Sequence, residues 1–125
     1  MTITLDHTIV PSHDKDTSAR WLADVFGLPY DGAGYFAPVQ VNAALTLDFA
    51  DADDVPSLHY AFVVDDDDFD RIFEKIQATA TNYGSGPGSS DDGQINHRRG
   101  GRGVYFVGGP DPHLWEIMTT PETGT

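Results

Sequence analysis

Two histidines and one glutamate are the residues of this chain whose chemical types point most directly to a metal ion. His7 and His59 each lie in an alternating segment that predicts a strand, and Glu116 lies centrally in the apolar segment HLWEIMT. Burying a carboxylate there is costly unless it is paired or bound to a cation. Two imidazoles and one carboxylate form a facial triad that leaves about three of six octahedral positions open. The three residues therefore predict a divalent-metal site, whereas His13 and His113 are expected at the surface.

The two histidines of this triad occupy equivalent points of an internal repeat. Residues 3–10 and 57–64 both alternate as strands do, and each segment leads into acidic residues that suit the positive end of a helix. The segments superpose without a gap at an offset of 52 residues. The matched pairs are His7 with His59, Asp14 with Asp66, Asp16 with Asp68, Trp21 with Phe73 and Gly32 with Gly84. So many coincident positions indicate a duplication.

Further strands are predicted to complete each half. Residues 39–49 alternate almost perfectly and form either one strand or two strands joined near residues 42–44, with Thr46 and Asp48 on the polar face. In the second half the predicted strands are residues 94–98, 103–108 and 113–119. Residues 84–93 are rich in glycine and serine and predict a mobile loop.

Composition bounds the class of protein. The length of 125 residues fits one domain, with a first module of about residues 1–54 and a second of about 55–121. The absence of cysteine excludes disulfides, thiolate metal sites and cysteine nucleophiles. A net charge of −13 argues against nucleic acid and anionic lipid as partners. With no signal peptide and no apolar stretch of about 18 residues, a cytoplasmic protein without membrane contact is expected.

Three segments resemble the vicinal oxygen chelate superfamily, which contains glyoxalase I, extradiol dioxygenases, fosfomycin-resistance enzymes and bleomycin-resistance proteins. They are LDHTIVPSHDKDTSARWLADVFGL at 5–28, LHYAFVVDDDDFDRIFEKI at 58–76 and GRGVYFVGGPDPHLWEIMT at 101–119. The resemblance implies an α+β fold of two βαβββ modules that form a cupped mixed β-sheet with helices outside. It also implies that His7, His59 and Glu116 bind Fe²⁺, Mn²⁺, Zn²⁺ or Ni²⁺, and that the protein is a homodimer whose sites can be shared between chains.

Members of the superfamily differ in the residues around the metal. Glyoxalase I has a fourth ligand, a Glu, whose matching position here is near Thr46, with Asp48 on the same face. The extradiol dioxygenases place a His and a Tyr beside the open metal positions, and His97 and Tyr105 are the corresponding candidates for proton transfer. This comparison favours an extradiol-type dioxygenase slightly over a glyoxalase-like lyase.

Two antibiotic-resistance branches provide the alternative. Fosfomycin-resistance enzymes hold an anionic phosphonate with cations, and Arg98, Arg99 and Arg102 form the basic cluster of this acidic chain. Bleomycin-resistance proteins bind an aromatic drug without metal catalysis. A groove of that kind would use Trp21, Tyr30, Tyr35, Phe36 and Trp115.

The sequence thus predicts a metal-dependent enzyme that chelates the vicinal oxygens of a small organic substrate. The residues predicted to bind that substrate are Arg98, Arg102, Asp48 and Thr46.

Overall fold

The computed structural model describes residues 1–122. The chain divides into two compact units, each described by itself. The first unit contains Met1–Pro56 together with Gly109–Asp111, and the second contains Ser57–Gly108 and the chain from Pro112 onward. The boundary after Pro56 lies close to the predicted boundary of the modules at residue 54. That the two modules form one domain over residues 1–125 stays a prediction, and its last three residues lie outside the described range.

The first unit consists of one helix and a three-stranded sheet. Its elements are β1 (His7–Ser12), α1 (Lys15–Phe26), β2 (Ala37–Gln40) and β3 (Thr46–Asp51). The strand order is β1-β3-β2, with β1 parallel and β2 antiparallel to β3. The core side chains are Val10, Leu22, Val25, Val39, Leu47 and Phe49, all at most 1% exposed.

Local sequence signals set the ends of these elements. The Asp14 carboxylate accepts a hydrogen bond from the Thr17 amide at 3.1 Å and caps helix α1, and Gly27 ends the helix with a φ of 71°. Residues 39–49 form two strands rather than one. The Asn42 side chain holds the turn between them, because its oxygen accepts hydrogen bonds from the Ala44 amide at 2.8 Å and the Leu45 amide at 2.9 Å.

The second unit contains a helix and a four-stranded sheet. Its elements are β4 (His59–Val63), α2 (Asp66–Thr79), β5 (Asn82–Gly84), β6 (Gly103–Val107) and β7 (Leu114–Met118), with a 3₁₀ turn at Arg98–Gly100. The strand order is β4-β7-β6-β5; β4 and β7 are parallel, and the other pairs are antiparallel. Helix α2 buries Phe69, Ile72 and Ile76. The α+β class, with mixed sheets and two helices, is confirmed.

Three details differ from the sequence-based predictions. Residues 94–98 do not form a strand; Asn96 makes only an isolated bridge to Gly103, and residues 82–84 provide the fourth strand instead. Within the described part of the first unit there are three strands, so that half is βαββ. His113 is fully buried, and its Nδ1 accepts a hydrogen bond from the Leu58 amide at 3.2 Å.

No helix within residues 1–122 is both long and apolar enough to cross a lipid bilayer.

Candidate functional site

A histidine and a glutamate from neighbouring parallel strands form the centre of the candidate site. His59 begins β4 and Glu116 lies in the middle of β7. The His59 Nε2 atom lies 3.0 Å from the Glu116 Oε1 atom. Glu116 is only 8% exposed, whereas the His59 side chain is 47% exposed. The carboxylate is therefore buried beside a single imidazole that reaches toward solvent.

Tyr105 adds a phenol to this pair. It lies opposite Glu116 in the antiparallel register of β6 and β7, and its ring centroid is 5.7 Å from that of His59. Arg98 Nη1 donates a hydrogen bond to the Tyr105 oxygen at 2.6 Å, and the Arg98 guanidinium carbon is 5.4 Å from the centre of the Tyr105 ring. Because Arg98 occupies an acceptor position of the phenol, the Tyr105 proton is directed away from Arg98, and a hydrogen bond with Glu116 is among the contributions that raise the Tyr105 pKa.

Burial and charge keep that phenol protonated. Burial raises the pKa of Tyr105 most, and the negative charge of Glu116 raises it further. The hydrogen bond from Arg98 and its positive charge act in the opposite direction, but the net change in the Tyr105 pKa is upward. At neutral pH, Tyr105 is thus a neutral hydrogen-bond donor beside a carboxylate.

His59, Glu116 and Tyr105 line a cavity of about 300 Å³ in the second unit. Ala61 and Met118 lie two residues beyond His59 and Glu116 on their strands, so alternation places them on the same faces. The described residues that line the cavity are His59, Ala61, Arg98, Arg99, Tyr105, Glu116, Met118 and Glu122. The site combines a nitrogen donor, a carboxylate, a phenol and two guanidinium groups.

The first unit carries a similar pair on corresponding strands. His7 begins β1, and in the parallel register Ile9 lies opposite Asp48, just as Ala61 lies opposite Glu116. Ile9 and Ala61 are 52 residues apart and are therefore equivalent positions of the repeat. Asp48 and Glu116 lie opposite these two residues, so they are structural counterparts. Thr46 lies opposite His7 itself.

His7 is held by its neighbour in the chain. Its side chain is 62% exposed, and its Nδ1 donates a hydrogen bond to the Asp6 carboxylate at 2.8 Å. This hydrogen bond raises the pKa of His7 most, the charge of Asp6 adds to it, and Asp48 contributes a smaller increase. In the neutral ring, the Nε2 atom of His7 then carries the lone pair that can bind a cation.

Among the site residues predicted in the second unit, His97 and Arg102 do not line the His59 cavity. His97 lies in the loop before the 3₁₀ turn and lines a different cavity of about 560 Å³. Arg102 lines that same cavity, and its guanidinium makes ion pairs with Asp66 at 3.0 Å and Asp70 at 2.7 Å. The guanidinium of Arg102 is therefore committed to helix α2.

The sequence analysis placed Arg99 in the basic cluster but selected Arg98 and Arg102 as substrate-binding residues, whereas Arg99 lines the His59 cavity and Arg102 does not. The signal that distinguishes these arginines is the segment RRGG at 98–101, because two glycines after two arginines predict a tight turn. Such a turn changes the direction of consecutive side chains, so the alternation of a strand does not apply there.

The donor atoms of His59 and Glu116 fit a divalent transition metal. Imidazole nitrogen and carboxylate oxygen are ordinary ligands of such ions. Two ligand atoms that are each about 2.1 Å from one ion and at right angles to each other stand about 3.0 Å apart. That is the separation found between His59 Nε2 and Glu116 Oε1. Within residues 1–122, however, no group of three or more His, Cys, Asp or Glu side chains is placed to hold an ion.

The chain belongs to the glyoxalase/bleomycin resistance protein/dioxygenase superfamily, whose family model matches residues 4–117. Among solved structures it is similar to Oxidase ChaP-H2, with 43% identity, a TM-score of 0.88, and coverage of 99% of this chain and 98% of that one. Oxidase ChaP-H1 is also 43% identical, with a TM-score of 0.89 and coverage of 98% and 100%.

A more distant structure has the same fold. The fosfomycin resistance protein FosX from Mesorhizobium loti is 22% identical, with a TM-score of 0.70 and coverage of 98% of this chain and 96% of that chain. No curated protein sequence matches the chain.

Proposed function

We propose that this protein is a divalent-metal-dependent enzyme that oxidises a small organic molecule carrying two neighbouring oxygens. The observation that carries the proposal is the 3.0 Å contact of His59 with the buried Glu116 in a cavity that also holds the protonated phenol of Tyr105. The 43% identity to two oxidases over nearly the whole chain favours oxidation over the other reactions of the superfamily. The extradiol-type dioxygenase is the form of this reaction that the sequence favours.

Each residue of the site has a distinct role in this proposal. His59 and Glu116 hold the ion, which supplies Lewis-acid stabilisation of negative charge that develops on the substrate oxygens. Tyr105 donates a hydrogen bond to a substrate oxygen and holds a proton there, since its pKa is raised. Arg98 orients the phenol through the 2.6 Å hydrogen bond to its oxygen. Glu116 is only 8% exposed, so it would offer the ion a carboxylate to which solvent has little access.

We propose that His7 provides a further ligand and that the protein is a homodimer. The side chain of His7 is exposed, and so are the apolar side chains at the neighbouring odd positions, with Ile3 at 86%, Leu5 at 64% and Ile9 at 47% exposure. Ile9 lies on the edge strand β1, and Ile3 and Leu5 lie in the segment just before it, so a second copy could cover these exposed apolar side chains. In such a dimer, His7 of one chain would join His59 and Glu116 of the other. Asp48, the counterpart of Glu116, is a candidate for an additional ligand.

Metal content and oxygen consumption together test this proposal. Protein purified without chelator is expected to contain about one divalent ion per chain by elemental analysis. Loaded with Fe²⁺, it is expected to consume oxygen when supplied with catechols. The Glu116→Gln variant should lose both properties, because the amide is a poor ligand, whereas Glu74→Gln, an exposed position on α2, should retain them.

Other results would select other members of the superfamily. Metal binding without oxygen consumption, but with activity on a glutathione hemithioacetal or an epoxide, would indicate a lyase or a ring-opening enzyme. Less than about 0.1 ion per chain after addition of Fe²⁺, Mn²⁺ or Zn²⁺ would rule out the metalloenzyme. A metal-free protein that binds a drug or metabolite would then remain.

A further inference from the structure

Arg99 is the cation of the His59 cavity that has no partner within the described residues. Arg20, Arg71 and Arg102 each make an ion pair with an aspartate, and Arg98 donates to the Tyr105 phenol. Arg99 lines the cavity, yet no hydrogen bond or ion pair joins it to any residue from 1 to 122. In a chain with 20 acidic and 7 basic residues, an arginine without a carboxylate partner is unexpected.

The backbone conformation of Arg99 also indicates that its side chain has a function. Its φ of 54° and ψ of 28° lie in the left-handed region, and it is the one non-glycine residue with positive φ in the described chain. Gly100 follows with a φ of 76°. A residue with a Cβ is strained in this conformation, and such strain clusters at sites where it positions a functional group. Glycine or asparagine would form the same turn with less strain, but neither would supply a guanidinium.

We propose that Arg99 binds a carboxylate of the substrate and selects an acidic substrate for this cavity. The guanidinium presents a planar fork of N–H donors that matches the two oxygens of a carboxylate. Arg99 is better suited to this contact than Arg98, because Nη1 and Nη2 of Arg98 already donate to the Tyr105 oxygen and to the Ser85 carbonyl. The reacting end of the substrate then lies toward His59 and Glu116; this part of the inference rests on the proposed function.

The acidity of the protein makes such a residue necessary for an anion. The net charge of −13 repels an acidic molecule at long range, and Glu116 and Glu122 line the cavity itself. An unpaired guanidinium offsets this repulsion locally. The charge of Arg99 would not strengthen the binding of a neutral substrate. The ratio of the affinity for an acid to the affinity for its amide therefore measures the contribution of Arg99.

The test compares 3,4-dihydroxybenzoate with 3,4-dihydroxybenzamide, which have the same shape and differ in charge. Binding of each to the Zn²⁺-loaded protein is measured by titration calorimetry. The wild-type protein is expected to bind the acid at least roughly tenfold more tightly, as is typical of a hydrogen-bonded charge pair. Arg99→Asn should bring the ratio close to one without lowering the melting temperature, because asparagine tolerates the left-handed turn. Arg99→Lys should retain part of the preference.

Arg71→Gln is the matched control, since Arg71 pairs with Asp68 on α2 and does not line the cavity. Equal binding of acid and amide by the wild-type protein, or binding of neither at millimolar concentration, would overturn the inference. So would an unchanged ratio in Arg99→Asn, or an equal loss in Arg71→Gln.

Repeating the titration on EDTA-treated protein separates this inference from the proposed function. If the protein binds no metal but the acid preference persists and depends on Arg99, the anion site stands and the metalloenzyme does not. If metal binds and Arg99→Asn leaves the preference for the acid intact, the metalloenzyme stands and the anion site at Arg99 does not.

Discussion

Tyr105 is the residue of the site whose role is simplest to isolate. The Tyr105→Phe substitution removes one oxygen atom and leaves the His59–Glu116 pair in place. Because proton transfer by a positioned group contributes roughly 100-fold to 10,000-fold, we expect oxygen consumption with the best catechol to fall by about that factor. Metal content should not change. If oxygen consumption is retained within about twofold while metal is bound, Tyr105 is a packing residue rather than a catalytic one.

Tyr30 makes a pH-dependent contribution to stability that can be measured separately. Its phenol donates a hydrogen bond to Asp16 at 2.6 Å, and burial followed by this hydrogen bond raises the pKa of Tyr30 to about 12. A raised pKa of an acid favours the protonated form in the folded state, so this stability is fully present below about pH 10. It should be lost between about pH 10 and 12.

The measurement for Tyr30 is urea unfolding at several alkaline pH values. The free energy of unfolding should fall more steeply with pH in the wild-type protein than in Tyr30→Phe. The difference between the two slopes should correspond to about one proton. Absorbance at 295 nm should show one tyrosine fewer ionising near pH 12 in the variant. Identical pH slopes for the two proteins would show that Tyr30 titrates normally.

The residues of the candidate site differ in how far sequence could predict them. His59, Glu116 and Tyr105 lie on regular strands, where alternation and register place side chains. All three line one cavity. Arg99 and His97 lie in the connection between β5 and β6, where direction depends on single backbone dihedrals. A strand was predicted over residues 94–98, so neither the position of His97 nor the turn that follows it at Arg99 was anticipated.

Strand β7 shows what alternation can and cannot predict about an element. His113 was expected to face opposite to Glu116 and therefore to be exposed, but it is 0% exposed. Trp115 and Ile117, which share the face of His113, are also buried, so the face of β7 opposite to Glu116 is packed against other side chains. Alternation gives the relative direction of side chains; whether the second face meets solvent depends on what packs there, which lies elsewhere in the chain. The T-shaped contact of His113 with the Tyr60 ring, centroids 5.6 Å apart, is an example.

The start of helix α1 depends on a buried polar network that joins it to residues 109–111. The Asp111 carboxylate is 6% exposed and accepts hydrogen bonds from the His13 amide at 2.7 Å and from the Ser18 hydroxyl. The Ser18 hydroxyl in turn lies 2.7 Å from that of Ser12. These contacts connect segments that are almost a hundred residues apart in sequence, so no local pattern predicts them.

Removal of Asp111 is expected to destabilise the protein. In Asp111→Ala the Ser18 hydroxyl and the His13 amide lose their acceptor, which costs about 1–3 kcal/mol for each buried group left unpaired. Asp111→Asn should cost less, because its amide oxygen still accepts. Urea denaturation measures both, with Asp31→Asn at an exposed position as the control. A loss of less than about 0.5 kcal/mol in Asp111→Ala would mean that water replaces the carboxylate.

The duplication explains much of the architecture of the whole molecule. Each half begins with a strand that starts at a histidine and continues into an acid-capped helix. Each half also pairs that strand in parallel with a later strand that carries a carboxylate, Asp48 or Glu116, at the same register. The correspondence of the first strands and helices follows from the gapless match at an offset of 52 residues, whereas Asp48 and Glu116 are 68 residues apart and are related by their register alone. The difference in strand number does not follow from that match, because residues 30–32, which align with β5, do not form a strand in the first unit.

Mixing two inactive variants tests whether the proposed metal site is shared between chains. In a dimer where His7 of one chain joins His59 and Glu116 of the other, His7→Ala and Glu116→Gln each damage both sites. A mixed dimer has one site with both substitutions and one site with neither. After equal amounts are refolded together, half of the dimers are mixed, so about one quarter of the wild-type metal content and oxygen consumption should return.

The control for this mixing experiment is His59→Ala with Glu116→Gln. Both substitutions lie in the second unit and would affect ligands from the same chain, so every site of a mixed dimer carries one lesion and no activity should return. Sedimentation equilibrium should show a dimer in each sample. If His7→Ala and Glu116→Gln restore nothing when mixed although both form dimers, the metal site is complete within one chain. If the protein sediments as a monomer, the exposed stripe of Ile3, Leu5 and Ile9 requires another partner.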